Sequence, residues 1–165
     1  MTGELQIATI NVRGLNDSNK RKTFLKWIEN KHINITCIQE TFITETNLEK
    51  LQDDWNGDVF VSAAPSSHSR GCAILIRKDF DYHLINHTSD NEGRKIILNF
   101  SYLGQTYSIA CLYAPNNDNH RKEFLIQAKK WIEQHAINLN SLVVCGDLNT
   151  TLYPIDRMQD HTKAA

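Results

Sequence analysis

The sequence predicts an α/β fold of the α+β type, in which two mixed β-sheets pack as a layered β-sandwich flanked by helices. Near the start of the chain, residues 5–10, 18–31 and 33–38 follow one another as strand, amphipathic helix and strand, and a connection of this length places the two strands in parallel. Farther along, short apolar runs separated by turns are typical of antiparallel strands. A chain with both patterns forms packed sheets with helices on their outer faces.

Three segments have the periodicity of amphipathic helices, with apolar residues three or four positions apart. They are residues 18–31, 44–55 and 119–136. Ser18 is a suitable N-cap for the first of these helices. The basic side of that helix is predicted to comprise Lys20, Arg21, Lys22 and Lys26.

Short β-branched and apolar runs predict the strands. After the opening pair, five runs predict a mostly antiparallel set at residues 59–63, 72–77, 82–87, 94–102 and 105–114. A final strand is predicted at residues 142–145, where four consecutive apolar residues lie between Ser141 and Gly146. Because this run has no polar face, we expect the strand to be covered on both faces.

Length and composition favour one soluble domain spanning residues 1–165. The chain is 41% hydrophobic and 22% charged, an ordinary globular composition that excludes a disordered or fibrous protein. We see no apolar run long enough to span a bilayer and no signal peptide at the N-terminus. We therefore expect an intracellular monomer without a membrane partner.

Net charge and cysteine content bear on two kinds of function, nucleic-acid binding and zinc binding. With a net charge of −1, the chain as a whole has no basic character for nucleic acid, so such binding depends on local patches or on a metal that offsets phosphate charge. A local basic patch for nucleic acid could include Lys20, Arg21, Lys22, Arg70 and Arg94. The alternative is that these charges form a solvated surface without a partner. Apolar surroundings without C-x-x-C spacing favour reduced core thiols over a zinc site for Cys37, Cys72, Cys111 and Cys145.

Oxygen-bearing side chains stand at the ends of four predicted strands: Asn11, Glu40, Tyr113, and Asp147 with Asn149. Since ligands bind at the carboxyl ends of strands in layered α/β proteins, we expect these groups to share one rim. A small number of carboxylates beside amides suits Mg²⁺, which keeps several waters. Asp147 can then accept a proton from an attacking water. The amides and the phenol can stabilise negative charge on a phosphodiester under attack.

Each of these residues also has a local structural explanation. Asn11 and Asp147 are common turn residues, Glu40 can be a solvated or capping acid, and Tyr113 can be a packed aromatic side chain. Their occurrence together favours a functional site.

Five segments resemble, in order, the motifs of the endonuclease/exonuclease/phosphatase superfamily. They are residues 9–15 (TINVRGL), 38–41 (IQET), 70–75 (RGCAIL), 112–116 (LYAPN) and 146–149 (GDLN). The resemblance covers residues 5–157, and it is most specific to the apurinic-type endonuclease domain of non-LTR (LINE) retrotransposons. It implies a DNase I-like fold and a Mg²⁺-dependent enzyme, with Mn²⁺ as an alternative ion. Such an enzyme nicks double-stranded DNA in the nucleus, and the 3′-hydroxyl primes a downstream reverse transcriptase that copies the element's RNA.

The resemblance also implies a role for each matching residue. Glu40 would be the principal metal ligand, assisted by Asn11. Asp147 would orient or activate water, while Asn149 and Tyr113 would contact the phosphate. Two arginines, Arg70 and Arg157, are further candidates for contacts to DNA.

One motif of the superfamily, Ser-Asp-His, has no counterpart in the chain. The dipeptide Asp160-His161 resembles only its end and lies a few residues after Asn149. The resemblance therefore implies the front part of a longer domain, incomplete at the C-terminus. We expect this chain alone to nick plasmid DNA very poorly, or to aggregate because a sheet edge is left uncovered.

Three alternatives to the retrotransposon endonuclease stay open. A DNA-repair endonuclease that acts at abasic sites and a phosphoinositide phosphatase belong to the same superfamily and would share the metal chemistry. A catalytically inactive fragment that retains the fold as a binding module comes from a different functional class.

Overall fold

The computed structural model describes residues 4–150. In chain order the elements are β1 (Ile7–Asn11), α1 (Ser18–Asn30), β2 (Ile35–Gln39), α2 (Leu48–Asp54), β3 (Gly57–Ser62), β4 (Cys72–Arg77), β5 (His83–Ser89), β6 (Lys95–Tyr102), β7 (Gln105–Tyr113), α3 (Asp118–His135) and β8 (Leu142–Asp147). Short 3₁₀ turns at Glu45–Asn47 and Leu139–Ser141 lead into α2 and β8.

The strands form two four-stranded mixed sheets. The first has the order β1-β2-β4-β3 and the second the order β5-β6-β7-β8. Strands β1 and β2 are parallel, as are β7 and β8, and the other neighbours are antiparallel. The predicted parallel opening pair and the antiparallel middle strands are therefore confirmed.

Three apolar clusters hold the layers together. The central cluster lies between the sheets and contains Ile74, Leu98 and Ile109 among others. A second cluster joins α1 and α2 to the first sheet, and a third joins α3 to the second sheet. The fold is thus a sandwich of two sheets with helices on both outer faces, as predicted.

The prediction that β8 is covered on both faces is wrong. Val144, in the middle of β8, is 47% exposed, and β8 lies at the end of the second sheet, paired only with β7 among the described strands. An all-apolar run does not reveal the position of a strand in its sheet. Cys145 is consequently only partly buried, while Cys37, Cys72 and Cys111 are buried free thiols as predicted.

Two predictions for α1 are also corrected. The N-cap is Asp17, whose side chain accepts a hydrogen bond from Lys20 N at 2.7 Å, so Ser18 is the first helical residue. Arg21 does not belong to an exposed basic side, because it is 4% exposed and its Nε lies 2.8 Å from Asp54 Oδ2. The adjacent α2 supplies this acid, which the periodicity of α1 cannot indicate.

None of the helices in residues 4–150 combines the length and the apolar character that crossing a membrane requires.

Candidate active site

Two parallel strand pairs, one in each sheet, end at the same rim of the sandwich. In the first sheet Asn11 is paired in register with Gln39, so the end of β1 lies beside Glu40, the residue that follows β2. In the second sheet Tyr113 is paired with Asp147. The strand order therefore brings four of the predicted site residues to one place.

These four side chains form a connected hydrogen-bond network. Asn11 Nδ2 donates to Glu40 Oε1 at 2.9 Å and to Asp147 Oδ2 at 2.8 Å. The Tyr113 hydroxyl donates to Glu40 Oε1 at 2.8 Å. The Asn11 amide nitrogen thus bridges two carboxylates that come from different sheets and lie 107 residues apart in the sequence, the difference between positions 147 and 40.

Burial and the neighbouring acid raise the pKa of Tyr113 from 10.0 to about 12. The larger cause is desolvation, and the hydrogen bond to Glu40 adds to it, while the positive charge of Arg94 acts in the opposite direction. The phenol therefore stays protonated over the physiological range and acts as a hydrogen-bond donor.

Several residues around this rim have left-handed backbone conformations, which are rare for side chains other than glycine. They are Arg13 (φ 49°), Glu40 (φ 53°), Phe42 (φ 58°), Arg70 (φ 66°) and Asn149 (φ 49°). Unfavourable backbone conformations of this kind concentrate at functional sites, where the surrounding structure holds them. The backbone thus marks the same rim as the side chains.

Asn149 lies beside the network, and its contact with a phosphate stays a prediction. Its Nδ2 donates to Ala114 O at 2.7 Å, and its backbone N donates to Asp147 Oδ1 at 2.9 Å. Gly146 permits this tight end of β8, because a Cβ there would lie 1.9 Å from Leu112 O. Asn149 therefore fixes the loop after β7 and orients Asp147, and its Oδ1 accepts no hydrogen bond from residues 4–150.

An open cleft of about 540 Å³ lies against the network. It is lined by Thr9, Asn11, Gln39, Gly146, Asp147, Leu148 and Thr150. Sequence reasoning did not single out Gln39, which is 1% exposed and donates from Nε2 to Thr9 Oγ1 at 3.0 Å. A polar residue at the carboxyl end of β2, directly before Glu40, is the signal that could have indicated it.

Arg94 is a second residue whose position the sequence did not reveal. Its Cζ lies 5.2 Å from the centre of the Tyr113 ring, and its Nη1 donates to Tyr113 O at 2.9 Å. Arg70, predicted to contact DNA, lies on the neighbouring loop, and its carbonyl accepts a hydrogen bond from Phe42 N. Arg157 and the Asp160-His161 dipeptide lie outside the described residues.

The donor atoms at the rim fit a small hard cation. Glu40 Oε2 makes no hydrogen bond within the described part of the chain, and the carboxylate of Asp147 stands on the other side of the same amide. A half-turn of the Asn11 amide would offer Oδ1, which now accepts from Arg13 N at 3.1 Å. No cluster of three or more His, Cys, Asp or Glu side chains suited to a metal occurs in residues 4–150. Two carboxylates beside an amide are the kind of donor set that Mg²⁺ takes, together with several waters.

Comparison with known proteins agrees with this architecture. An archaeal structure described as an AP endonuclease from Archaeoglobus fulgidus superposes with a TM-score of 0.67 and 22% identity, over 93% of this chain and 60% of that one. The "Transposon TX1 uncharacterized 149 kDa protein" of Xenopus laevis is 26% identical over 93% of this chain, which is 12% of that protein. A "DNA-(apurinic or apyrimidinic site) endonuclease" of Dictyostelium discoideum is 27% identical over 93% of this chain and 44% of its own length.

The two packed mixed sheets, flanked by helices, define a protein with the DNase I-like fold. The model of the Endonuclease/Exonuclease/phosphatase family matches residues 8–161. The chain belongs to that family. It spans from about an eighth to less than half of the curated relatives described above.

Proposed function

We propose that this protein hydrolyses phosphodiester bonds in DNA with the help of Mg²⁺, or alternatively Mn²⁺, and that it nicks DNA as the endonuclease part of a non-LTR retrotransposon protein. The main support is the Asn11 amide, which connects Glu40 and Asp147 at 2.9 and 2.8 Å. Two carboxylates held against one amide that itself lines an open cleft are suited to metal-assisted attack on a phosphate.

Glu40, with Asn11 after its amide rotates, would hold the cation. Bound there, the cation would offset negative charge on a phosphate oxygen and orient the substrate. The chain's own groups have separate tasks. Asp147, kept in place by Asn149 N at 2.9 Å, accepts a proton from the attacking water. As the water oxygen bonds to phosphorus the P–O3′ bond breaks, and the departing oxygen takes up a proton from solvent to become the 3′-hydroxyl.

Tyr113 supplies a hydrogen-bond donor at the same centre. Its hydroxyl, protonated at neutral pH because its pKa is about 12, points at Glu40 Oε1. The O–H bond can turn about the bond that joins the oxygen to the ring while the ring stays packed under Arg94. This turn would direct the donor to a non-bridging phosphate oxygen. Donors placed where charge develops lower the barrier, typically by about 2.7–4 kcal/mol for one such group.

The retrotransposon assignment is supported by the match to the TX1 transposon protein of Xenopus laevis over 93% of this chain. In such an element, we propose, the nicked strand's 3′-hydroxyl primes reverse transcription in the nucleus. A second candidate, cleavage at abasic sites, is supported by the Dictyostelium discoideum relative. Both activities require the same network of Asn11, Glu40, Tyr113 and Asp147.

The test is nicking of supercoiled plasmid with Mg²⁺, and with chelator as the blank. Because we expect this chain alone to nick slowly, the protein is used in excess over plasmid and the slow rate is followed over long times. Glu40→Gln keeps the shape of the side chain and removes its charge, so we expect the nicking rate to fall by at least about 100-fold. Glu49→Gln, an exposed acid on α2, is the matched control and should retain the wild-type rate.

The two candidate substrates are separated with synthetic duplexes. Cleavage of an intact duplex at a rate comparable to that of an abasic duplex supports the retrotransposon nickase, and cleavage of the abasic duplex alone supports the repair endonuclease. Equal nicking rates in wild type and Glu40→Gln would show that this rim does not carry the reaction.

A further inference from the structure

Two arginine-bearing loops contact each other beside the proposed active site. One, between β3 and β4, carries Arg70-Gly71, and the other, between β5 and β6, carries Gly93-Arg94. Gly71 N donates to Gly93 O at 2.9 Å. A Cβ on Gly93, where φ is +69°, would lie 2.7 Å from Gly71 N. The backbones therefore touch at the two glycines, and the arginines that flank them are neighbours.

Arg94 is fixed against the end of β7. Its carbonyl accepts from Tyr113 N at 2.8 Å, its Nη1 donates to Tyr113 O at 2.9 Å, and its guanidinium lies over the Tyr113 ring. The Tyr113 hydroxyl donates to Glu40. The Tyr113 ring therefore lies between the positive charge of Arg94 and the proposed metal ligand.

Arg70 is held close to Glu40 from the other side. Thr41 N donates to Gly71 O at 3.0 Å and Phe42 N donates to Arg70 O at 2.9 Å. The backbone of Arg70, which has a left-handed conformation, is thus bonded beside the two residues that follow Glu40. Both arginines are half-buried and are positioned by backbone bonds to the elements that carry Glu40 and Tyr113.

The charges of these arginines are not neutralised within the described part of the chain. No carboxylate of residues 4–150 forms an ion pair with either guanidinium, and the Arg70 side chain makes no hydrogen bond there. Burial lowers the pKa of Arg94 and the charge of Arg70 lowers it further, outweighing Tyr113, Glu92 and Cys72, which act in the opposite direction. Two neighbouring like charges that lack a counter-ion are unfavourable, unless an anion binds between them.

We propose that Arg70 and Arg94 form a subsite for a second phosphate of the substrate strand, the phosphodiester next to the bond that is cleaved. A guanidinium presents paired N–H groups that match phosphate oxygens. This subsite rests on the proposed function only in its placement of the cleaved bond at Glu40. It positions the strand by its backbone and does not read the base sequence.

The experiment measures binding of a short labelled duplex in chelator, so that no cleavage is needed, as a function of salt concentration. The slope of log K against log salt is negative, and each lost phosphate contact reduces its magnitude by about 0.9. We expect Arg70→Ala and Arg94→Ala each to reduce the magnitude by about this amount and the double variant by about twice as much. The control is Lys129→Ala, on the exposed side of α3, which removes one positive charge from an element that carries neither arginine loop and should leave the slope unchanged.

Folding and position are controlled separately. Arg94→Lys keeps the charge and should keep most of the slope, and thermal unfolding shows that each variant is folded. A single neutral methylphosphonate, moved along one strand, should weaken wild-type binding most at one linkage beside the cleaved bond. It should have no effect at that linkage in the double alanine variant.

The outcomes distinguish the two proposals. Wild-type slopes in folded Arg70→Ala and Arg94→Ala, or no salt-dependent binding by wild type, would overturn the subsite. If nicking depends on Glu40 while the arginine slopes are unchanged, only the subsite fails. If duplex binding depends on both arginines but the slow nicking with Mg²⁺ is equal in wild type and Glu40→Gln, the subsite stands and the proposed function fails.

Discussion

Two parallel strand pairs build the candidate site in different ways. Strand β2 lies inside its sheet and all five of its residues are buried. Strand β8 has the same apolar character, but it lies at the end of the other sheet with Val144 exposed. Each pair nevertheless delivers a carboxylate to the rim, Glu40 after β2 and Asp147 at the end of β8. Position in the sheet, and not the local sequence, therefore decides how firmly each half of the site is supported.

The largest difference between the halves should appear in stability. Ile38, on β2, is fully buried between the first sheet and its helices, so Ile38→Ala should lower the free energy of unfolding by about 2–5 kcal/mol. Val144→Ala on β8 should cost less than about 1 kcal/mol, because nearly half of that side chain already contacts solvent. Urea unfolding of both variants measures the two values, and equal costs would contradict the difference in support.

A smaller effect should appear in the alkaline titration of Tyr113, which connects the halves through Glu40. Glu40→Gln removes the acid but leaves the burial, so the pKa of Tyr113 should fall from about 12 part of the way towards 10. Ultraviolet absorbance of the phenolate measures this, and Tyr113→Phe identifies the signal that belongs to Tyr113.

The same pKa predicts a pH dependence of stability. A raised pKa in the folded state favours the protonated phenol, so its contribution is complete below pH 10 and is lost as the pH rises from 10 to about 12. In Tyr113→Phe this part of the pH dependence should be absent. An identical Tyr113 titration in wild type and Glu40→Gln would show that the hydrogen bond from Tyr113 to Glu40 does not couple the two halves of the site.

The sequence predicted the layers of the fold and the strand ends that carry polar groups, because these follow from local periodicity. Asn11, Glu40, Tyr113 and Asp147 stand where apolar runs stop, and strands that end at one rim bring such residues together. The exposure of β8 could not be predicted in this way, because the same apolar sequence pattern occurs in strands inside a sheet and in strands at its edge. The same holds for Arg21, whose partner Asp54 comes from another helix.

Contacts between loops were the other part that sequence reasoning missed. The amide nitrogen of Asn149 is bonded to Ala114 O, a contact that the sequence does not indicate. In the sequence, Arg94 is one of several separated basic residues. The Gly71–Gly93 contact places it beside Arg70. Which backbone groups meet across a turn depends on tertiary packing, and no spacing in the sequence records it.

The central claim is that Glu40 and Asp147, from different sheets, act as one centre. The direct test is a double-mutant cycle on the rate of plasmid nicking with Glu40→Gln, Asp147→Asn and the double variant. Residues that act as a unit are strongly non-additive, so we predict that the double variant is hardly slower than either single variant. If the two losses multiply in the double variant, the carboxylates act independently and the account of a single shared site is wrong.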